Sequence, residues 1–203
     1  MKILGLTGGI AMGKSATAGL FAEAGIPVYD ADAAVHALYQ AGGAAVAPVE
    51  AAFPGVTGQD GAIDRAKLRA CVAQDADALK TLESVVHPLV GGVQMSALQA
   101  AQESGAPCFV LDVPLLFETG GNARCDYIAT VTVAPEIQRE RVLDRATMTE
   151  AEFEAILAKQ MPDAEKRARS DFIINTGFGF QFARDQVRAI IDLMIRLGDG
   201  EQG

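Results

Sequence analysis

Short apolar runs along the chain alternate with longer stretches in which apolar residues recur at the helical period. Five of the short runs predict buried strands, namely Lys2–Thr7, Ile26–Asp30, Phe109–Val113, Asp126–Val133 and Asp171–Asn175. Strands that alternate with helices form parallel sheets with right-handed crossovers and with helices on both faces. We therefore expect an α/β protein, a three-layer α/β/α sandwich around a five-stranded parallel sheet.

The helical stretches carry start and stop signals in addition to their periodicity. Gly25 follows the end of the first helical stretch, and Thr149 with Glu152 forms a capping-box pattern at the start of a later one. Helices are predicted over residues 15–24, 33–40, 136–145, 150–160 and 180–197.

Residues 41–105 separate the second and third strands and predict a mostly helical insertion that the sheet itself does not require. Asp64 is a suitable N-cap for a helix that begins beside it. A helical apolar pattern extends over residues 75–104, but it contains Pro88. Proline at this position predicts a break or kink in the helix and non-helical backbone angles for His87.

The segment Gly8–Ser15 has the pattern G-x-x-x-x-G-K-[ST] and lies between a predicted strand and a predicted helix. This is the form of a phosphate-binding loop, in which inward N–H groups and the helix start hold an anion. Lys14 then reaches the β and γ phosphates and Ser15 offers its hydroxyl to Mg²⁺. The alternative is a glycine-rich turn that binds nothing. The predicted nucleotide-binding residues are Gly8, Gly9, Ile10, Ala11, Met12, Gly13, Lys14, Ser15 and Ala16.

Two residues distinguish this loop from a roomier glycine-serine version. Ala11 and Met12 occupy its middle. We expect Ala11 to take ordinary backbone angles, because left-handed angles are rare for residues that carry a Cβ. Met12 has no hydroxyl to donate to a phosphate.

Carboxylates stand at the ends of two predicted strands, on the sheet edge where ligands bind in open parallel sheets. Asp30 and Asp32 follow the second strand, where a carboxylate can accept the proton of an attacking hydroxyl. Capping of the following helix is the alternative for both. Asp112 follows the third strand, in the form of the motif whose carboxylate holds Mg²⁺ or its water; a simple strand terminator is the alternative.

The formal net charge is −9 and the pI is about 4.7. The overall field therefore repels nucleic acid and anionic membrane surfaces, and we expect neither as a partner.

Seven of the seventeen Lys and Arg residues lie in residues 139–169, and Arg141 and Arg145 share a helix face there. Short charged helices with arginines suit a lid over a transferring phosphate. A solvated surface is the alternative, because nine acidic residues lie within residues 136–171.

The three cysteines show no C-x-x-C spacing, which favours neither a disulfide framework nor a zinc site. No apolar run reaches the ~18 residues of a membrane span, and the first strand begins without a leader. We expect a cytoplasmic protein with a single domain, as a monomer or a weak oligomer.

Taken in order, the motifs resemble those of the dephospho-CoA kinases over nearly the whole chain. The resemblance is carried by Gly5–Ser15, Asp30–His36, Val86–Pro88, Asp112–Glu118, Gln138–Arg145, Gln160–Arg167 and Asn175–Gly177. It implies a P-loop kinase that uses ATP and Mg²⁺ to phosphorylate the ribose 3′-hydroxyl of dephospho-CoA. Members of this family usually carry Gly and Ser at two loop positions where this chain has Ala11 and Met12.

The resemblance also implies roles for individual segments and residues. Residues 41–105 would be the CoA-side subdomain, residues 139–165 the lid, and residues 1–40, 106–138 and 166–203 the nucleotide-binding core. Asp32 would be the base for the 3′-hydroxyl and Arg141 a lid cation facing ATP. Arg145 and Asn175 would lie on the nucleotide side. The residues expected at the acceptor site are Asp30, His36, His87, Asp112, Pro114, Leu115, Leu116, Phe117 and Glu118.

Other interpretations stay open at this point. His36 could be a packing residue, and His87 could cap a helix. The fold also serves nucleoside and nucleoside-monophosphate kinases. A regulatory NTPase switch is a further alternative, although the chain has no N-K-x-D segment for reading guanine.

Overall fold

The computed structural model of the chain describes residues 1–73, 75–144 and 148–199. Five strands form one sheet in the order β2-β3-β1-β4-β5. They are β1 Lys2–Gly8, β2 Val28–Asp30, β3 Cys108–Asp112, β4 Tyr127–Thr132 and β5 Phe172–Asn175. The five-stranded parallel sheet predicted from the apolar runs is confirmed.

The strand β1 lies at the centre of the sheet and pairs in parallel with β3 and with β4. Its residues from Leu4 to Gly8 are all buried, as expected for a parallel strand covered on both faces. In the β1–β3 register Leu6 lies opposite Asp112. The end of β1 that leads into the phosphate loop therefore lies beside the acidic end of β3.

The helices agree with the predicted start signals. Thr149 and Glu152 complete both halves of a capping box at α7, and Pro135 is the first residue of α6. The helices are α1 Lys14–Glu23, α2 Ala31–Tyr39, α3 Val46–Ala52, α4 Arg65–Val72, α5 Ala76–Glu103, α6 Pro135–Asp144, α7 Glu150–Leu157, α8 Asp163–Ala168 and α9 Phe180–Asp199. Within the described ranges, no helix is long and apolar enough to span a membrane.

The chain divides into two compact units. The first contains Met1–Tyr29 and the chain from Ala101 onward, and the second contains Asp30–Ala100. The main core of the first unit lies between the sheet and the helices α1 and α9. Its most deeply buried members include Leu4, Leu6, Phe21, Val110, Ile174 and Met194.

The second unit has a core of its own, formed by helices α2 to α5. Asp64 caps α4 as predicted, because its carboxylate accepts hydrogen bonds from two N–H groups of the first turn. A break or kink was predicted at Pro88; the break is wrong, and so are the non-helical angles predicted for His87, since α5 continues through both residues. His87 is an exposed residue in the interior of this helix and does not cap one. A proline inside a long helix is tolerated where packing of the apolar face, here including Val86, outweighs one lost hydrogen bond.

An ion pair between a buried lysine and a partly exposed glutamate ties the segment after β3 to α8. The side chain of Lys166 is 1% exposed, and its Nζ lies 2.9 Å from Oε1 of Glu118 and 3.1 Å from the carbonyl oxygen of Pro114. The same Glu118 oxygen accepts the N–H of Met161 at 2.8 Å. Burial by itself raises the pKa of Glu118, but the hydrogen bonds from Lys166 and Met161 outweigh it and hold this pKa below the usual 4.5.

Replacing Glu118 by Gln should remove a pH-dependent part of the stability. A carboxylate with a lowered folded pKa stabilises the fold above pH 4.5, and the contribution is lost as the pH falls through the folded pKa. Lys166 is buried but Glu118 is partly exposed, and a hydrogen bond to a charged group is worth about 1.5–3 kcal/mol, so urea unfolding at pH 7 should show Glu118→Gln less stable by about that amount. The gap should narrow below pH 4.5. A gap that is the same at pH 7 and pH 3 would contradict this assignment.

Candidate active site

Two residues of the loop between β1 and α1 take left-handed backbone angles. Gly13 has φ 96° and Ala11 has φ 58°. The expectation of ordinary angles for Ala11 is therefore wrong. The backbone strain at Ala11 is modest, because a left-handed residue with a Cβ costs roughly 1–2 kcal/mol.

Side chains behind the loop fix this conformation. Met12 is 3% exposed and belongs to the main core of the first unit. The Oγ1 of Thr176 donates to the Met12 carbonyl oxygen at 2.7 Å. A Cβ on Gly13 would lie 3.1 Å from the Thr176 side chain. The loop is thus anchored on one side by a methionine and confined on the other by a threonine.

Lys14 is positioned by a nearly buried carboxylate. Its Nζ lies 2.6 Å from Oδ1 of Asp112, and the two side chains are 13% and 1% exposed. Lysine carries three N–H donors, so this contact leaves donors for an anion held by the loop. The loop and the acidic end of β3 are therefore in direct contact.

Two glutamines hold the main chain of Ile10 within the loop. The Nε2 of Gln138 donates to the Ile10 carbonyl oxygen at 2.7 Å, and the Oε1 of Gln160 accepts the Ile10 N–H at 3.1 Å. Gln138 comes from α6 and is 5% exposed, whereas Gln160 follows α7. Gly9 leaves room for both, because a Cβ there would lie 3.3 Å from Gln160 and 3.5 Å from Gln138.

A cavity of about 320 Å³ opens beside the loop within the first unit. Arg141 contributes to its wall and is itself fixed, since its two terminal nitrogens donate to Oγ1 and to the carbonyl oxygen of Thr176 at 2.9 and 2.8 Å. The other lining residues are Ala11, Gly13, Ala16, Thr17, Leu20, Gly179, Phe180 and Ala183. The cavity therefore combines one cation with apolar walls next to the phosphate loop.

In the second unit the structure separates the roles of the two neighbouring acids. The Oδ1 of Asp30 accepts the Ala33 N–H at 2.9 Å and caps α2. Asp32 lies in the first turn of that helix and lines a cavity of about 500 Å³. Capping is thus confirmed for Asp30, while Asp32 faces open space.

His36 also lies on α2, one helical turn after Asp32. Its Nδ1 is 3.2 Å from Nη2 of Arg65, and its Nε2 is 3.0 Å from Nε2 of Gln40. His36 is exposed and is therefore not a core packing residue.

The segment 112–118 is held largely by structural contacts. The carbonyl oxygen of Pro114 accepts from Thr7 Oγ1 at 3.0 Å, in addition to its contact with Lys166. Leu116 and Phe117 are buried in a small core, so their side chains are not available to a ligand in this structure. Leu115 is 39% exposed.

Two predicted nucleotide-side residues remain. The Oδ1 of Asn175 accepts the Gly177 N–H at 2.8 Å and so stabilises the turn that carries Thr176. Arg145 lies outside the described residues.

The oxygens near the loop suit a magnesium ion that is held partly by water and phosphate. They do not suit a metal ion that is held only by protein side chains. Among the described residues no group of three His, Cys, Asp or Glu side chains could hold a metal. Ser15 presents an exposed hydroxyl in the first turn of α1, and the oxygens of Asp112 are close to Lys14 of the same turn. Magnesium commonly binds through one or two protein oxygens together with waters and substrate phosphates.

Comparison with known proteins gives the chain its relatives. A family model described as dephospho-CoA kinase matches residues 2–179. The chain belongs to the dephospho-CoA kinase family. The dephospho-CoA kinase of Rhodopseudomonas palustris (strain HaA2) is 55% identical over 197 residues, which cover 97% of this chain and 98% of that protein. That of Mesorhizobium japonicum is 56% identical over 192 residues, which cover 95% and 96% of the two chains.

Solved structures of similar fold agree with this membership. The crystal structure of TT1252 from Thermus thermophilus has a TM-score of 0.80 at 33% identity and covers 94% of this chain and 96% of that one. Dephospho-CoA kinase from Campylobacter jejuni, with a TM-score of 0.64 at 21% identity over 95% and 97% of the chains, shows the shared fold. Membership of the dephospho-CoA kinase family makes the chain a phosphotransferase with a P-loop fold, and it implies the use of ATP.

Sequence reasoning assigned no role to three residues that the structure brings to the loop. Gln138, Gln160 and Thr176 were part of the family motifs, but their chemistry gave no separate signal, because uncharged polar side chains occur throughout protein surfaces. Only their contacts with Ile10 and Met12 reveal that they support the loop.

Replacing Ala11 by Gly should leave the protein as stable or make it more stable by up to about 1 kcal/mol. Relief of the left-handed strain, roughly 1–2 kcal/mol, exceeds the extra unfolded-state entropy of glycine, roughly 0.5–1 kcal/mol. Ala155→Gly is the matched control, because Ala155 is exposed inside α7, where glycine costs about 1 kcal/mol. Urea unfolding should give opposite signs, and an equal loss in both variants would disprove the strain.

Replacing Gln160 by Ala should weaken ATP binding about 5- to 10-fold, since one supporting hydrogen bond is worth about 1 kcal/mol. Isothermal titration calorimetry with ATP measures this effect. Gln181→Ala serves as the control, because Gln181 lies exposed on α9 and bonds only Asp185 among the contacts described. Unchanged or tighter ATP binding by Gln160→Ala would show that this glutamine does not support the loop.

Proposed function

We propose that this chain transfers the γ-phosphoryl group of ATP to the 3′-hydroxyl of dephospho-CoA and releases coenzyme A and ADP, the final step of coenzyme A synthesis. The observation that carries the proposal is the contact between Lys14 and Asp112 beside a preformed phosphate loop, in a chain that matches the dephospho-CoA kinase family over residues 2–179. The relatives named above carry the same activity in their names.

The phosphate loop supplies the nucleotide side of the reaction. Its N–H groups and the start of α1 attract the β and γ phosphates. Lys14 neutralises charge that develops on the transferring group, and Asp112 keeps its ammonium group at the loop. The protein forms no covalent bond to the phosphoryl group in this reaction. Positioning and charge stabilisation therefore make up most of its expected contribution to catalysis.

The cavity beside the loop fits the nucleoside part of ATP. Apolar atoms of Ala11, Leu20 and Phe180 offer surface for a base, and Arg141 offers a cation near the phosphate loop. The guanidinium of Arg141 is fixed by Thr176, which also binds the loop at Met12. Arg141 is therefore preorganised to stabilise phosphate charge without a large loss of side-chain entropy.

Magnesium is the divalent ion that fits the oxygens present. Ser15 and Asp112 would hold it, directly or through water. When bound, the ion supplies charge neutralisation between the β and γ phosphates. The chain's own task is to present the Ser15 hydroxyl from the first turn of α1 and to hold the carboxylate of Asp112 beside Lys14.

On the acceptor side, Asp32 is the group suited to the base role. Asp30 already accepts a backbone N–H as the cap of α2. Asp32 lines the cavity of the second unit together with apolar side chains and arginines. We assign to it the orientation of the 3′-hydroxyl and the acceptance of its proton as the phosphoryl group is transferred.

A direct assay tests the proposed substrate. The purified chain is incubated with ATP and Mg²⁺ and with dephospho-CoA, AMP, CMP or uridine as the only acceptor, and ³¹P NMR follows the phosphorylated product and the position of its new phosphate. Dephospho-CoA should be phosphorylated with a kcat/KM at least about 10²-fold above the others, as expected when pocket contacts define the acceptor. Faster phosphorylation of AMP, CMP or uridine would replace this function by a nucleotide- or nucleoside-kinase activity.

Replacing Asp32 by Asn should lower kcat by at least about 10²-fold while ATP binding stays close to normal, because a positioned general base acts on the chemical step. Asp60→Asn is the matched control. Asp60 is an exposed acid of the same unit whose carboxylate accepts the Ala62 N–H. Single-turnover assays measure the chemical step, and an Asp32→Asn variant with wild-type turnover would remove Asp32 from the mechanism.

A further inference from the structure

The cavity of the second unit contains positively charged side chains that the proposed role of Asp32 as a base does not explain. Two arginines, Arg65 and Arg69, contribute to its wall and lie one turn apart on the same face of α4. The remaining lining residues are Val35, Tyr39, Leu68, Val72 and Leu82. The cavity therefore offers a mostly apolar surface, one carboxylate and two guanidinium groups.

This concentration of positive charge is unusual for the unit. Residues 30–100 contain eight acidic residues and four Lys or Arg residues. Two of those four cations line this one cavity. Several of the acids instead serve the local backbone; for example, Asp64 caps α4 and Glu50 accepts the N–H groups of Gly55 and Thr57. The cavity is thus a local site for an anionic ligand in an acidic environment.

Arg65 is held in place before any ligand arrives. Its Nη2 lies 3.2 Å from His36 Nδ1, and its guanidinium carbon lies 5.9 Å from the centre of the Tyr39 ring, within range of a cation–π contact. Arginine only donates hydrogen bonds. In this contact His36 Nδ1 therefore accepts, and Nε2 is the ring nitrogen that carries the proton.

The tautomer of His36 also defines the neighbouring contact. Its protonated Nε2 faces the side-chain amide of Gln40 at 3.0 Å. The Gln40 atom at this position is the amide nitrogen Nε2, which is also a donor, so a hydrogen bond here requires the Gln40 amide to be turned so that its oxygen accepts. Gln40, His36 and Arg65 then form a chain of hydrogen bonds that orients the guanidinium group.

We infer that Arg65 is the specificity residue for the anionic 5′ side of the acceptor, and that His36 positions it. The inference rests on the proposed function and identifies the chemical class that the cavity reads: a nucleoside with a free 3′-hydroxyl and a diphosphate at its 5′ position. Asp32 accepts a hydrogen bond from the 3′-hydroxyl. The planar guanidinium of Arg65 donates two hydrogen bonds to oxygens of the diphosphate. A nucleoside that lacks the 5′ diphosphate leaves Arg65 unused.

The test compares Arg65→Met, which keeps an apolar stem but loses the charge, with Arg65→Lys, which keeps the charge but loses the planar fork. Steady-state kinetics with dephospho-CoA at saturating ATP should show KM raised about 30- to 100-fold in Arg65→Met, as expected for a lost charge-assisted contact, with kcat within about threefold. Arg65→Lys should raise KM by about 5- to 10-fold. Lys80→Met is the control, because Lys80 is an exposed cation of the same unit that pairs with Asp77, and its KM should stay at the wild-type value.

A double-mutant cycle tests the positioning role of His36. His36→Ala should raise KM about 5-fold in the wild-type background and should have no further effect in the Arg65→Met background, because a residue that acts through Arg65 has nothing left to position. His36→Asn, which can still offer an oxygen to Arg65, should recover part of the loss. A purely structural role would give the same effect in both backgrounds.

The outcomes separate this inference from the proposed function. If the wild-type chain does not phosphorylate dephospho-CoA, the proposed function fails. If it does, but Arg65→Met and Arg65→Lys keep the wild-type KM or lose only kcat, the assignment of Arg65 fails alone. Urea unfolding of each variant shows whether it is folded, and should Arg65→Met not fold, Arg65→Lys decides.

Discussion

The contact between Lys14 and Asp112 is the interaction on which the nucleotide side of this protein depends. It joins the first residue of α1 to the last residue of β3 at 2.6 Å, with the carboxylate almost fully buried. A buried carboxylate that loses its partner is left uncompensated, which makes such a pair costly to break once it is formed. The parallel register between β1 and β3 brings the two residues together, so the sheet itself sets the geometry of the loop.

The loop obtains its rigidity from side chains as much as from glycine. Ala11 and Gly13 take left-handed angles, while Met12 inserts into the core between them. The side chains of Gln138, Gln160 and Thr176 form hydrogen bonds with the main chain of the loop. A glycine-rich loop would have to lose more conformational freedom on binding an anion. The contacts seen here fix much of that conformation in advance.

Much of this arrangement could be predicted from the sequence because it depends on local patterns. The strand order along the chain, the phosphate loop and the caps at Asp64 and Thr149 follow from periodicity and short-range hydrogen bonding. The left-handed angle of Ala11 and the continuous helix at Pro88 could not be predicted, since both depend on tertiary packing that outweighs local preference. The different surroundings of Asp30 and Asp32 likewise appear only when the helix and its cavity are known.

The two acids also show why residue type and spacing leave function underdetermined. Both stand near the end of β2, and either could cap a helix or accept a proton. A side chain that accepts a backbone N–H has its lone pairs engaged and its position fixed by the helix, as Asp30 does. A side chain in the first helical turn projects outward, and for Asp32 that direction leads into a cavity with two arginines. One cavity thus brings together the carboxylate that we assign to the acceptor's hydroxyl and the two guanidinium groups that suit an anionic acceptor.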